Sequence, residues 1–119
     1  MTILIADQNP EFRSTVKKHL EADEKVRTVW EADDGEKAVE LARKLQPDLV
    51  LMDMSLPLVN GLEATQIIKK TESNVQVIIM GEYTEPVYRR AAIRSGADDF
   101  ISKSSARAGN IPSYVSRRP

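Results

Sequence analysis

A chain of 119 residues is long enough for one domain with one core, and its net charge of −1 argues neither for nor against nucleic acid. The absence of cysteine excludes disulfides, thiolate chemistry and cysteine-ligated zinc. No apolar run approaches the roughly 20 residues of a bilayer span, and no signal-peptide pattern precedes the first strand-like run, so a soluble cytoplasmic protein with no membrane partner is expected.

Strand-like runs and helical periods alternate from the start. Thr2–Ala6 reads as a strand that runs into Asp7. Asn9 is a good N-cap with Pro10 at the first helical position, and Phe12, Val16 and Leu20 recur on one helical face. Val26–Ala32 reads as a second strand, with Arg27 and Glu31 interleaved. Asp34-Gly35 opens a helix in which Ala38, Leu41, Ala42 and Leu45 follow the i, i+3, i+4, i+7 pattern, and Pro47 ends it. Leu49–Asp53 is a third strand: four apolar residues, then a carboxylate, then a Pro/Gly loop through Pro57, Asn60 and Gly61. A helix follows from about Gly61 to Lys70, and Val75–Met80 is the fourth strand. Thr84 and Pro86 can start a helix that runs to about Ser95, where Gly96 stops it. Ala97–Ser102 is a shorter fifth strand. Beyond it a further crossover helix is expected, yet Gly109 and Pro112 interrupt it, so the stretch is either a very short helix or irregular. Asp99 is the last acidic residue, and Lys103, Arg107, Arg117 and Arg118 make the end of the chain basic.

Strand–helix alternation implies parallel strands joined by right-handed crossovers. The runs at 3–6, 49–52 and 77–80 are continuously apolar, as strands covered on both faces are, whereas 26–32 and 97–102 carry polar residues, as edges do. The expected architecture is a doubly wound α/β sheet of order 2-1-3-4-5 with helices on both faces. Its switch point lies between the first and third strands, where ligands bind at strand carboxyl ends, and therefore between Asp7 and Asp53.

Those two carboxylates suit a hard cation. Magnesium takes oxygen ligands and is content with one or two carboxylates plus phosphate oxygens and water. Asp7 and Asp53 can supply them, with Gln8 and a backbone carbonyl of the 54–56 loop, at Ser55, as further oxygens. An Asp side chain can attack phosphorus to form an aspartyl phosphate, and the transferring group needs a cationic clamp, which Lys103 just past the fifth strand can provide.

The run Ile3–Asp7, the Leu49–Asp53 strand with its Ser-Leu-Pro…Asn-Gly sequel, and Gly96-Ala97…Phe100-Ile101-Ser102-Lys103 resemble the receiver domain of bacterial two-component response regulators. The resemblance covers residues 2–104, so a receiver at 1–104 and a short or irregular tail at 105–119 are expected. The Asp-Gly-Glu-Lys-Ala start of the second helix is similar to receivers that precede helix-turn-helix output domains. The resemblance implies a flavodoxin-like fold and a signalling domain rather than a separate enzyme. Asp53 would accept phosphate from a histidine kinase, with Asp7 near Mg2+ and Lys103 on the phosphoryl group. Phe100 would stand at the family's aromatic switch position. DNA would be reached only through an output domain outside this chain, and the fourth helix and fifth strand would serve self-association.

Two positions depart from the family's pattern. Gln8 stands where receivers carry a second acidic metal ligand, which predicts weaker magnesium binding. Gly81 stands where a Thr or Ser hydroxyl bonds the phosphoryl group, and Glu82 follows where a small residue is common. A hydrogen bond to a charged acceptor is worth about 1.5–3 kcal/mol, so losing it cuts a phosphorylation-driven population shift roughly ten- to a hundredfold. The competing expectation is therefore an interaction module on the same fold that works without phosphate.

Overall fold

A computed structural model describes residues 1–111; the expectations for 112–119 lie outside the described residues. In chain order the elements are β1 (Thr2–Ala6), α1 (Pro10–Glu21), β2 (Thr28–Ala32), α2 (Gly35–Leu45), β3 (Leu49–Asp53), α3 (Gly61–Thr71), β4 (Gln76–Gly81), α4 (Pro86–Arg94), β5 (Asp99–Ser102) and α5 (Lys103–Arg107). All five strands pair in parallel in the order β2-β1-β3-β4-β5, the topology expected from the apolar patterning.

The apolar runs of the three central strands are continuous because alternate residues feed two cores. Leu4, Ala6, Val50, Met52, Val77 and Ile79 face one side and pack with Ala38 and Ala42 of α2, Ala64 and Ile68 of α3, and Ala92 of α4. Ile3, Ile5, Leu49, Leu51, Ile78 and Met80 face the other and pack with Phe12, Val16 and Leu20 of α1 and Ala106 of α5. A period of two along each strand thus sorts a uniformly apolar segment into two layers.

The helices start where their capping chemistry dictates. The side chains of Asn9, Asp34 and Asn60 accept backbone N–H bonds at the starts of α1, α2 and α3. α4 begins one residue later than Thr84 would set it. Glu85 is its N-cap without a side-chain bond, and Pro86 fixes the first turn. β5 is shorter than its apolar pattern because the Asp98 carboxylate takes the Val77 N–H at 2.8 Å, so the strand starts at Asp99. The last crossover is the very short helix: five residues, capped by Ser102 and stopped by Gly109 at φ +84°. Among the described residues no helix is long and apolar enough to cross a membrane.

Candidate functional site

Parallel pairing places the carboxyl ends of β1, β3, β4 and β5 along one edge of the sheet. Asp7 follows β1, Asp53 ends β3, and Lys103 follows β5 as the first residue of α5. Asp7 is 1% exposed and both Asp53 and Lys103 are 7% exposed. The Lys103 ammonium gathers the acids around it: Nζ lies 2.5 Å from Asp7 Oδ2, 3.6 Å from Asp53 Oδ2 and 3.9 Å from Glu82 Oε1. It also sits 4.5 Å from the centroid of the Phe12 ring, so an aromatic face and carboxylates together replace the water this cation has lost. Asp7, Asp53 and Lys103, three of the residues expected at the site, thus meet at one point.

Each carboxylate is oriented through its other oxygen. The Asn9 N–H donates to Asp7 Oδ1 at 2.8 Å, and the Ser55 N–H donates to Asp53 Oδ1 at 3.2 Å. The Arg13 guanidinium donates to the Asp7 carbonyl at 2.6 Å and holds Glu31 of β2 at 2.8 Å, which ties the β1–α1 turn to the sheet edge. The loop after Asp53 is seated by two glycines. A Cβ on Gly61 would lie 2.0 Å from the Asp53 carbonyl oxygen, and one on Gly35 would lie 1.7 Å from the Val59 carbonyl oxygen. Only a residue without a side chain lets α3 start against Asp53 and lets the loop rest on the start of α2. Arg13 and these glycine contacts went unread in the sequence, because each depends on a partner distant along the chain.

Burial pushes the Asp53 carboxyl above its ordinary value, the negative charge of Asp7 adds to this, and Lys103 opposes both. Two acids close to one buried lysine leave the cluster short of positive charge. Asp7 Oδ2 is buried, and its approach to Lys103 lacks hydrogen-bond geometry, so this oxygen keeps acceptor capacity. A hard divalent cation fits that donor set, which matches the one or two carboxylates magnesium takes from proteins. Among the described residues no cluster of three or more His, Cys, Asp or Glu side chains forms a metal cage. Gln8 is exposed beside Asp7, and Ser55 lies on the exposed turn after Asp53.

A cleft of about 270 Å³ opens above Asp53, lined by Ser55, Gly81, Glu82, Tyr83, Tyr88 and Lys103 among others. Gly81 and Phe100 meet at its β4–β5 side. The Phe100 ring is buried against the Gly81 backbone, so that a Cβ on Gly81 would lie 2.8 Å from Phe100 Cζ and 2.9 Å from Cε1. The Tyr83 and Tyr88 rings pack with centroids 5.5 Å apart at the rim.

The family model described as the response regulator receiver domain matches residues 3–111. The transcriptional regulatory protein DegU of Brevibacillus brevis is 35% identical over 101 residues, which are 85% of this chain and 43% of that protein. The response regulator UvrY of Escherichia coli strain K12 is 34% identical over 106 residues, 89% of this chain and 49% of that protein. The chain spans about half the length of these curated relatives. Among solved structures, the signal receiver domain of the response regulator NarL from Mycobacterium tuberculosis superposes with a TM-score of 0.88 at 28% identity, covering 98% of this chain and 94% of that one. The response regulator domain of Thermotoga maritima CheB gives 0.85 at 30% identity, covering 98% and 92%.

Proposed function

The chain belongs to the response regulator receiver domain family, and we propose that within it Asp53 is the residue that accepts a phosphoryl group from a histidine kinase. One observation carries the reading: a buried lysine bridges two carboxylates at the carboxyl ends of adjacent strands, at the switch point of the sheet. An Asp53 carboxylate oxygen attacks phosphorus, the bond from phosphorus to the donor's nitrogen or oxygen breaks, and the donor leaves with the electron pair. Lys103 clamps the developing charge on the phosphoryl oxygens. Asn9 and Arg13 hold the turn that aims Asp7, and Ser55 holds the oxygen of Asp53 that does not face Lys103. When bound, magnesium would be held by Asp7, Asp53, the Ser55 carbonyl and the Gln8 amide, and it would neutralise phosphoryl charge.

The receiver unit, expected at 1–104, is taken to run on through α5, whose Ala106 packs in the core beside α1, in a cytoplasmic protein. Its output is a DNA-binding segment outside these residues, as the name of DegU as a transcriptional regulator suggests. Self-association runs through α4 and β5, which already share the Arg89–Asp99 ion pair at 3.3 Å and present Ile93 to solvent. The test is intact-mass spectrometry after acetyl phosphate treatment, with and without magnesium. A gain of one phosphate that needs magnesium and is lost in Asp53→Asn is expected. Persistent labelling in that variant overturns the assignment of Asp53, and no labelling at any magnesium concentration overturns phosphoryl acceptance.

A further inference from the structure

The loop between β4 and α4, residues 82–85, forms one wall of the cleft, and phosphoryl transfer as described leaves two of its features unused. At its start, Gly81 has no hydroxyl to offer a phosphoryl group, and the Phe100 ring fills the volume next to its Cα. That packing leaves no room for a side chain at Gly81 on the β5 side unless the ring moves. Next along the chain, the Glu82 carboxylate reaches to 3.9 Å from Lys103 Nζ although the residue is an exposed one. Glu82 is therefore a third acid on the same lysine, after Asp7 and Asp53.

A phosphoryl group on Asp53 changes this balance. It brings about −1.5 to −2 charges to the space facing Lys103, offset in part by magnesium when bound. Lys103 turns to the nearer and stronger charge, so Glu82 loses its cation and faces a like charge instead. The movement has a path outward. Tyr83 packs on Tyr88 of α4, and α4 starts at Pro86 after an N-cap, Glu85, whose side chain makes no capping bond to anchor it. Building on the assignment of Asp53 as acceptor, we infer that phosphorylation expels Glu82 from Lys103 and loosens the β4–α4 loop and the first turn of α4, while Phe100 stays buried against Gly81. Repulsion thus does in this chain what a hydroxyl in the place of Gly81 would do by attraction, and it drives the loop the opposite way.

Amide hydrogen exchange of the full chain tests this, with the phosphorylated fraction read by intact mass in the same samples. Wild type and Glu82→Gln are compared before and after acetyl phosphate with magnesium. Loss of a surface ion pair corresponds to roughly two- to fivefold faster opening, so wild-type amides in 82–90 are expected to exchange faster by about that factor once labelled. Glu82→Gln is expected to show the faster exchange already when unlabelled, to change little on labelling, and to differ less from wild type at high salt. Amides 99–102 of β5 keep their protection throughout. Slower exchange in 82–90 on labelling, loss of protection in β5, or a Glu82→Gln variant that behaves as wild type overturns the inference. If no sample takes label, the assignment of Asp53 falls, and the unlabelled comparison still decides whether Glu82 pins the loop.

Discussion

Asp53 must be charged to attack phosphorus, and its surroundings resist that charge. Burial and Asp7 raise its pKa above the ordinary 3.8, against the pull of Lys103. The folded state therefore holds this proton more tightly than the unfolded chain. The stability that protonated Asp53 contributes is fully present below about pH 3.8 and is lost as pH rises through its raised folded value. At neutral pH the ionised carboxylate is thus a cost to the fold. Asp53→Asn is expected to be more stable than wild type in urea at pH 7, with the gain shrinking as the pH approaches 3.8. A gain that grows on acidification is the opposite of what the surroundings of Asp53 dictate.

At the scale of elements, β4 and β5 are joined at the site by shape. Their register pairs Ile79 with Phe100 and Gly81 with Ser102, and the Phe100 ring crosses diagonally onto Gly81. A methyl group added at Gly81 meets the end of a side chain rather than backbone, so the ring must yield. Overpacking of this kind costs about 1–3 kcal/mol. Gly81→Ala is expected to lose stability in that range, and to lose much less in a Phe100→Ala background, where the ring is gone. Denaturation of the two single variants and the double variant measures that coupling; additive effects mean the two residues do not interlock. The sequence marked Gly81 as the place of a missing hydroxyl, but it could not show that an aromatic ring occupies the vacated volume.

Across the whole molecule, Lys103 draws together the ends of β1, β3 and β5 and the β4–α4 loop through its three acidic neighbours. Removing the ammonium leaves buried like charges without a cation. Breaking a buried ion pair costs about 3–5 kcal/mol, so Lys103→Met is expected to lose stability of that order at neutral pH. Magnesium is expected to restore more of that loss in the variant than it adds to wild type, because it supplies the positive charge the acids lack. Melting temperatures with and without magnesium check this, and an equal magnesium effect in both proteins argues against a cation site at Asp7 and Asp53.

The sheet order and the strand ends were legible in the residues themselves. Strands covered on both faces must be apolar throughout, which singled out 3–6, 49–52 and 77–80 as the interior, and an acid at the end of such a run stands out. Asp7, Asp53 and Lys103 could be named because parallel topology sends all three to one edge. Element boundaries were less legible where a local side chain competes with the ladder, as Asp98 does at the start of β5. What only the tertiary structure decided is contact between residues distant in sequence: Arg13 on the Asp7 carbonyl, Gly61 against Asp53, Phe100 on Gly81, and Glu82 within reach of Lys103. The physical reason is range. Periodicity and capping act over a few residues and are written in the order of the chain, whereas close packing and charge pairing act over a few ångströms between segments that only the fold brings together.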